Sequence, residues 1–118
     1  MIKQDFIQKP TTFSAYQQEA RVFRKETANS FYAALGLGEE AGEVQGKIAK
    51  IIRDGFRDAE HMNMFKVELT KELGDVLWFI AAIADDNGIN LQNIAETNLL
   101  KLGSRFDRGT ISGSGDNR

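Results

Sequence analysis

Glu40-Ala41-Gly42-Glu43-Val44 and Glu72-Leu73-Gly74-Asp75-Val76 are two versions of one pattern, acid-x-Gly-acid-Val, set 32 positions apart. The same offset pairs Leu37 with Leu69, Ile48 with Ile80 and Ile51 with Ile83, so an apolar frame is repeated together with the acids. At ~100° per residue, Leu37, Ala41, Val44, Ile48 and Ile51 form one stripe on a helical wheel, and Leu69, Leu73, Val76, Ile80 and Ile83 form another. On both wheels the acids fall at about 300° and 240°, along the same edge of the stripe. Two helices packed stripe to stripe are therefore expected to bring Glu40, Glu43, Glu72 and Asp75 together.

Such a meeting has an electrostatic consequence. Carboxylates at i and i+3 repel, and several beside an apolar seam repel more, unless they are protonated, paired with cations or bound to a metal. Hard oxygen donors suit Mg²⁺ or Mn²⁺, ions that commonly hold substrate phosphates as well. Acids on helices are more often solvated and balanced by neighbours, here Lys47 and Lys71. The repeated spacing and the shared stripe edge favour convergence over that plainer explanation.

Composition frames the rest. A chain of 118 residues is expected to be one domain with a modest core, and 42% hydrophobic with 27% charged residues is ordinary for a globular protein. A net charge of −2 gives no electrostatic case for nucleic-acid or anionic-membrane binding. The absence of cysteine excludes disulfides, thiolate chemistry and cysteine-ligated zinc. No apolar run approaches a membrane span and the start, Met1 to Phe6, has no long apolar segment, so a cytoplasmic protein is expected. One proline and no period-2 segment point to an all-α chain, a bundle of four main helices.

Residues 1–11 read as a loose lead-in. Ser14 to Gln17 is a candidate capping box for a first helix, with Phe13, Tyr16, Ala20 and Phe23 facing the core. Its Arg21, Arg24 and Lys25 read as a solvated face rather than phosphate ligands. Asn29 or Ser30 is expected to cap the second helix, which ends near Asp54-Gly55. Gly36, Gly38, Gly42 and Gly46 each cost ~1 kcal/mol within a helix. The last three share a helical row, which suggests close approach of a neighbouring helix or a ligand; Gly36 and Gly38 alternatively mark a kink or a late start.

The third helix is expected over roughly 59–87, closed by Asn87-Gly88. Its second half, Val76 to Ala84, is apolar all round, and Trp78 lies ~180° from the stripe. Burying both sides predicts a homo-oligomer, a homodimer or a dimer of dimers, with this segment at its centre. Asn90 is expected to cap a fourth helix with Leu91, Ile94, Ala95, Leu99, Leu102 and Phe106 on its apolar side, and Asn98, Lys101 and Arg105 grouped on the wheel. The tail over 109–118 is rich in glycine and serine, hence expected to be flexible or ordered only on ligand binding. His61, the single histidine, has no partner motif, and phosphate-loop, dinucleotide-turn, nucleophile-elbow and zinc-deaminase signatures are absent.

Gly38-Glu39-Glu40-Ala41-Gly42-Glu43-Val44, followed by Lys71-Glu72-Leu73-Gly74-Asp75-Val76-Leu77-Trp78, resembles the EExxE and ExxD signature of the MazG-type nucleoside triphosphate pyrophosphohydrolases. Asn98-Leu99-Leu100-Lys101-Leu102-Gly103-Ser104-Arg105-Phe106 is similar to that family's Asn-x-x-Lys-Leu-x-x-Arg helix. The likeness runs from about Tyr16 onward. It implies an α-helical oligomer with Mg²⁺-dependent sites, holding one or two ions with Mn²⁺ as a substitute. The implied reaction cleaves a (deoxy)nucleoside triphosphate between its α and β phosphates to a monophosphate and pyrophosphate, as nucleotide-pool house-cleaning. Carried over by position, Glu40, Glu43, Glu72 and Asp75 would be metal ligands and Glu39 would stand behind them or orient the attacking water. Lys101 and Arg105 would hold phosphate oxygens and Asn98 would contact the nucleotide. The rivals are a helical module that binds metal or nucleotide without catalysis, and a dUTPase-like enzyme restricted to one nucleotide.

Overall fold

The computed structural model describes residues 12–117, and among these the chain forms four α-helices and no strand. The lead-in expected over residues 1–11 lies outside the described residues, as does Arg118. The helices are α1 (Phe13–Arg21), α2 (Ser30–Asp54), α3 (Ala59–Asp86) and α4 (Leu91–Asp107), so the all-α class expected from the sequence is the one observed.

Each helix starts where a short polar side chain accepts from a backbone amide that has no partner within the helix. Asn29 accepts from the Tyr32 amide at 3.0 Å, Asp58 from His61 at 2.7 Å and Asn90 from Gln92 at 2.8 Å. The first helix departs from the expected cap. Thr12, not Ser14, accepts from the Ala15 amide at 3.0 Å, while the Ser14 hydroxyl donates to Asn90 Oδ1 at 2.9 Å, tying α1 to the start of α4. Gly55, at φ 72°, ends α2 in a backbone conformation that a side-chain-bearing residue adopts only with strain.

The pair α2 and α3 is the main body. Gly36 lies against the Phe79 ring, where an added Cβ would overlap the ring carbons, and Lys47 reaches both Glu68 and Glu72. These contacts fix an antiparallel register, and moving one turn from Gly36 brings Glu40 opposite Asp75. Around Phe79 sit Ala33 and Ala82, with Leu37, Trp78 and Ile83 packed on them. A Cβ at Gly38, Gly42 or Gly46 meets nothing within 4 Å, so of the two causes expected for the row, a neighbouring helix is not found among the described residues. A start at Ser30 also places Gly36 and Gly38 inside α2 rather than before it.

Against α3 lies α1, held by polar rather than apolar contacts. Buried Gln17 donates its amide to Asp85 at 2.8 Å and to the Ile89 carbonyl at 2.9 Å, and accepts from the Leu91 amide at 2.8 Å. Arg21 grips Asp85 through two nitrogens, at 2.9 and 2.7 Å, and Arg24 grips Asp86 likewise, at 2.7 and 3.0 Å. Arg24 also donates to the Ala28 and Ala82 carbonyls. The expected apolar face of α1 is therefore only partly the buried one: Ala20 is inside, but Phe13 and Phe23 are exposed.

The apolar second half of α3 is covered only in part within one chain, with Val76, Leu77, Trp78, Ile80 and Ile83 half-buried. Phe79, Ala81, Ala82 and Ala84 are buried, and the Trp78 indole donates to the Ala20 carbonyl at 3.1 Å with its ring edge-on to Phe79. Within the chain that cover comes from α1 and α2. Bare apolar surface lies elsewhere: Phe31 and Ile52 on α2 are each 80% exposed, and Leu100 and Phe106 on α4 each 76%. The apolar side expected for α4 is thus largely uncovered beyond buried Leu91.

Candidate functional site

The antiparallel register delivers one acidic residue of α2 to two on α3. Glu40, Glu72 and Asp75 each offer a carboxylate oxygen, and the three lie within 4.8 Å of one another. Glu40 and Glu72 are half-buried and Asp75 is exposed, so the cluster opens outward from the helix seam. Burial, reinforced by the like charges of Asp75, Glu72, Glu39 and Glu43, pushes the Glu40 carboxyl above its ordinary range. One cation answers this charge: Lys47 stands 3.4 Å from Glu72, but it shares itself with Glu68 at 3.4 Å. Among the described residues no ion pair reaches Glu40 or Asp75.

Three oxygen donors with too little positive charge between them form a set that a small divalent cation would complete. The donors are hard, with no imidazole or thiolate among them, which suits Mg²⁺ or Mn²⁺ over softer metals. Glu43 and Glu39, the other acids of the α2 segment, are exposed and lie outside the set of three. Burial, and after it the Asp75 charge, pushes the ionisation of the Tyr16 hydroxyl on α1 upward. Nothing in the local sequence distinguishes Tyr16 from a core aromatic.

The residues expected on α4 form a second group. Lys101 and Asn98 line an open groove with Ile89, Asn93, Ile94 and Thr97. Lys101 and Arg105 both pair with Asp116 of the tail, at 3.3 and 3.1 Å, rather than with the carboxylates of the cluster. Packing of α4 is against α1 and α3, without contact to α2 and its Glu40. Acid cluster and cationic face are therefore separate features of one chain. Sequence reasoning grouped Asn98, Lys101 and Arg105 correctly by helical period but had no means of finding Asp116, whose approach requires the chain to turn back after α4.

A family model described as the MazG nucleotide pyrophosphohydrolase domain matches residues 30–109, which span α2, α3 and α4. The chain is also similar to "Gene 37 protein" of Mycobacterium phage L5, 45% identical over 87 residues that make up 74% of this chain and 75% of the phage protein. No solved structure matches it.

Proposed function

The chain belongs to the MazG nucleotide pyrophosphohydrolase family, and on that premise we propose that it hydrolyses (deoxy)nucleoside triphosphates between the α and β phosphates, in a Mg²⁺-dependent reaction. The products are a nucleoside monophosphate and pyrophosphate, and the role is the clearing of the cytoplasmic nucleotide pool. The convergence of Glu40, Glu72 and Asp75 is the observation that carries this reading, because three carboxylates left without matching cations need an ion to be useful.

In this reading Glu40, Glu72 and Asp75 hold the ion, with Glu43 joining them from the adjacent turn of α2. When bound, the ion supplies charge neutralisation for the triphosphate and polarises the phosphoryl group under attack. The chain's own residues do the remainder. Glu39 orients the water that attacks in line, accepting its proton as the bond to phosphorus forms. Lys101 and Arg105 hold the charge of the departing pyrophosphate, and Asn98, which borders the same groove as Lys101, contacts the nucleotide. Little covalent chemistry is asked of the protein, so placement and charge supply the acceleration.

Separation of the acids from the cationic face supports a homo-oligomer, a homodimer or a dimer of dimers, in which the two features of different copies approach each other. The bare side chains Phe31, Leu35 and Ile52 on α2 and Leu99, Leu100 and Phe106 on α4 are suited to that assembly. Light scattering at micromolar concentration should give a mass above one chain; a stable monomer would refute it.

The decisive test of the reaction is incubation with Mg²⁺ and a panel of canonical and damaged deoxynucleotides, with separate detection of pyrophosphate and orthophosphate. Pyrophosphate together with monophosphate is expected. Orthophosphate release would mean a different bond is cut, and binding without turnover would favour a non-catalytic nucleotide-binding module. Turnover of dUTP alone would favour a dUTPase-like specificity.

A further inference from the structure

Arg105 is a charged residue only 5% exposed, and its partners come from the chain's own tail. One of its terminal nitrogens donates to the Asp116 carbonyl at 3.0 Å, to the Gly115 carbonyl at 3.3 Å and to Asp116 Oδ1 at 3.1 Å. Lys101 Nζ reaches the same Oδ1 at 3.3 Å, so a single carboxylate oxygen bridges both cations. Hydrogen bonding to Arg105, and then to Lys101, holds the Asp116 carboxyl below its ordinary range. The match is incomplete, because Arg105 Nε is buried with no acceptor. An orphaned guanidinium donor is costly, and a phosphate group, with three acceptor oxygens in place of two, is the chemical class that satisfies more of the fork.

The tail is also placed to leave. Its Asp116 side chain is 81% exposed, and the preceding Gly113 and Gly115 sit at φ 116° and 84°, conformations that give the segment a tight glycine-dependent path. Lys101 belongs at once to this contact and to the open groove it lines with Asn93, Thr97 and Asn98. Withdrawal of the tail would make groove and guanidinium continuous.

We propose that residues 113–116 form an intramolecular strap, in which the Asp116 carboxylate occupies the Lys101–Arg105 pair as a stand-in for a phosphate and competes with phosphate-bearing ligands for it. The inference rests on the reading of Lys101 and Arg105 as phosphate-holding residues. It assigns the tail a restraining role: the pair accepts a polyphosphate only in the fraction of molecules whose strap is released, so apparent affinity is lowered by that fraction.

The test is calorimetric titration with inorganic pyrophosphate in the presence of EDTA, which removes metal at the acid cluster from the measurement. Wild type is compared with Asp116→Asn and with a chain ended after Ser112, which keeps the Thr110 amide bond to the Arg105 carbonyl that closes α4. Because Asp116 is exposed, a gain of about three- to tenfold in pyrophosphate affinity is expected in both variants. Adding Lys101→Gln to Asp116→Asn should cancel the gain. Unchanged affinity in both variants, with Lys101→Gln alone still weakening binding, would overturn the strap and leave the phosphate role of Lys101 intact. Weaker binding on loss of Asp116 would overturn it also, by making the carboxylate part of the site. No binding by any of the proteins would remove the phosphate reading and the strap together. Tighter binding in both variants of a protein that turns over no nucleotide would sustain the strap while the catalytic reading fell.

Discussion

Two acidic pairs lie on the same helix and have opposite surroundings. Near the end of α3, Asp85 and Asp86 each meet an arginine in a two-point grip, and Gln17 adds a further donor to Asp85. Three turns earlier, Glu72 has a shared lysine and Asp75 has no ion pair among the described residues, although Glu40 adds another negative charge from across the seam. The fold meets Asp85 and Asp86 with two-point arginine grips but gives the earlier pair only the shared Lys47. Where charge holds helices together, the cation is built in; at the other cluster only a shared lysine is supplied, and the proposed metal ion would provide the rest.

The sharpest way to break this comparison is to exchange the consequences of mutation. Asp75→Ala and Glu40→Ala should lower nucleotide turnover by about 10³-fold or more while thermal unfolding stays near wild type, since each removes a repelling charge. Circular dichroism melting beside a pyrophosphate assay measures both quantities. Near-wild-type activity in both Glu43→Ala and Asp75→Ala would refute the ligand assignment, and Glu43→Ala alone asks whether the exposed fourth acid takes part.

Mg²⁺ should sharpen the contrast without mutating the arginine-held pair. At about 100 times its dissociation constant, a ligand specific to the folded state stabilises by about 2.7 kcal/mol. The melting temperature of wild type should therefore rise with Mg²⁺ by several degrees, and that of Asp75→Asn should not. A comparable rise in both would place the ion elsewhere.

Asp85→Ala should do the reverse of Asp75→Ala, destabilising by about 2 kcal/mol because it leaves Gln17 and Arg21 with unmet donors. Loss of activity would then track the unfolded fraction and recover on cooling. The same group predicts acid sensitivity. Hydrogen bonding to Arg21 depresses the Asp85 carboxyl below its ordinary value, so its stabilisation is complete above about pH 4 and is lost as pH falls further through its folded-state range. Asp85→Asn should flatten that acid limb in a pH series of melting curves. The smallest effect is expected at Lys47, whose ion pairs are long and screened by solvent, so Lys47→Met should barely move the melting temperature.

What could be read from the sequence was what repeats at helical period. The two acidic segments, their stripes, the caps Asn29 and Asn90 and the glycine ending α2 are local patterns, and local patterns survive folding. The convergence of Glu40, Glu72 and Asp75 was legible for the same reason, since two like stripes in antiparallel contact leave little freedom in where their edges meet. The crossing of α1 was not. Gln17 reads in the sequence as the closing residue of a capping box, but its side chain is buried through bonds to Asp85, Ile89 and Leu91, all more than 60 positions away. The bond of the Trp78 indole shows the same limit: its acceptor is the carbonyl of Ala20, presented by a helix whose direction no periodicity encodes. The row of Gly38, Gly42 and Gly46 has no cause within the described residues of a single chain.

Gly36 touches no acid, yet it admits the Phe79 ring and so sets how near α2 can stand to α3, one turn from Glu40. Ions are told apart by the width of the oxygen cage offered to them, with Mg²⁺ asking for a narrower one than Ca²⁺. On the proposed metal site, a methyl group at position 36 would act as a shim between the helices and should retune metal preference from a position that carries no chemistry of its own.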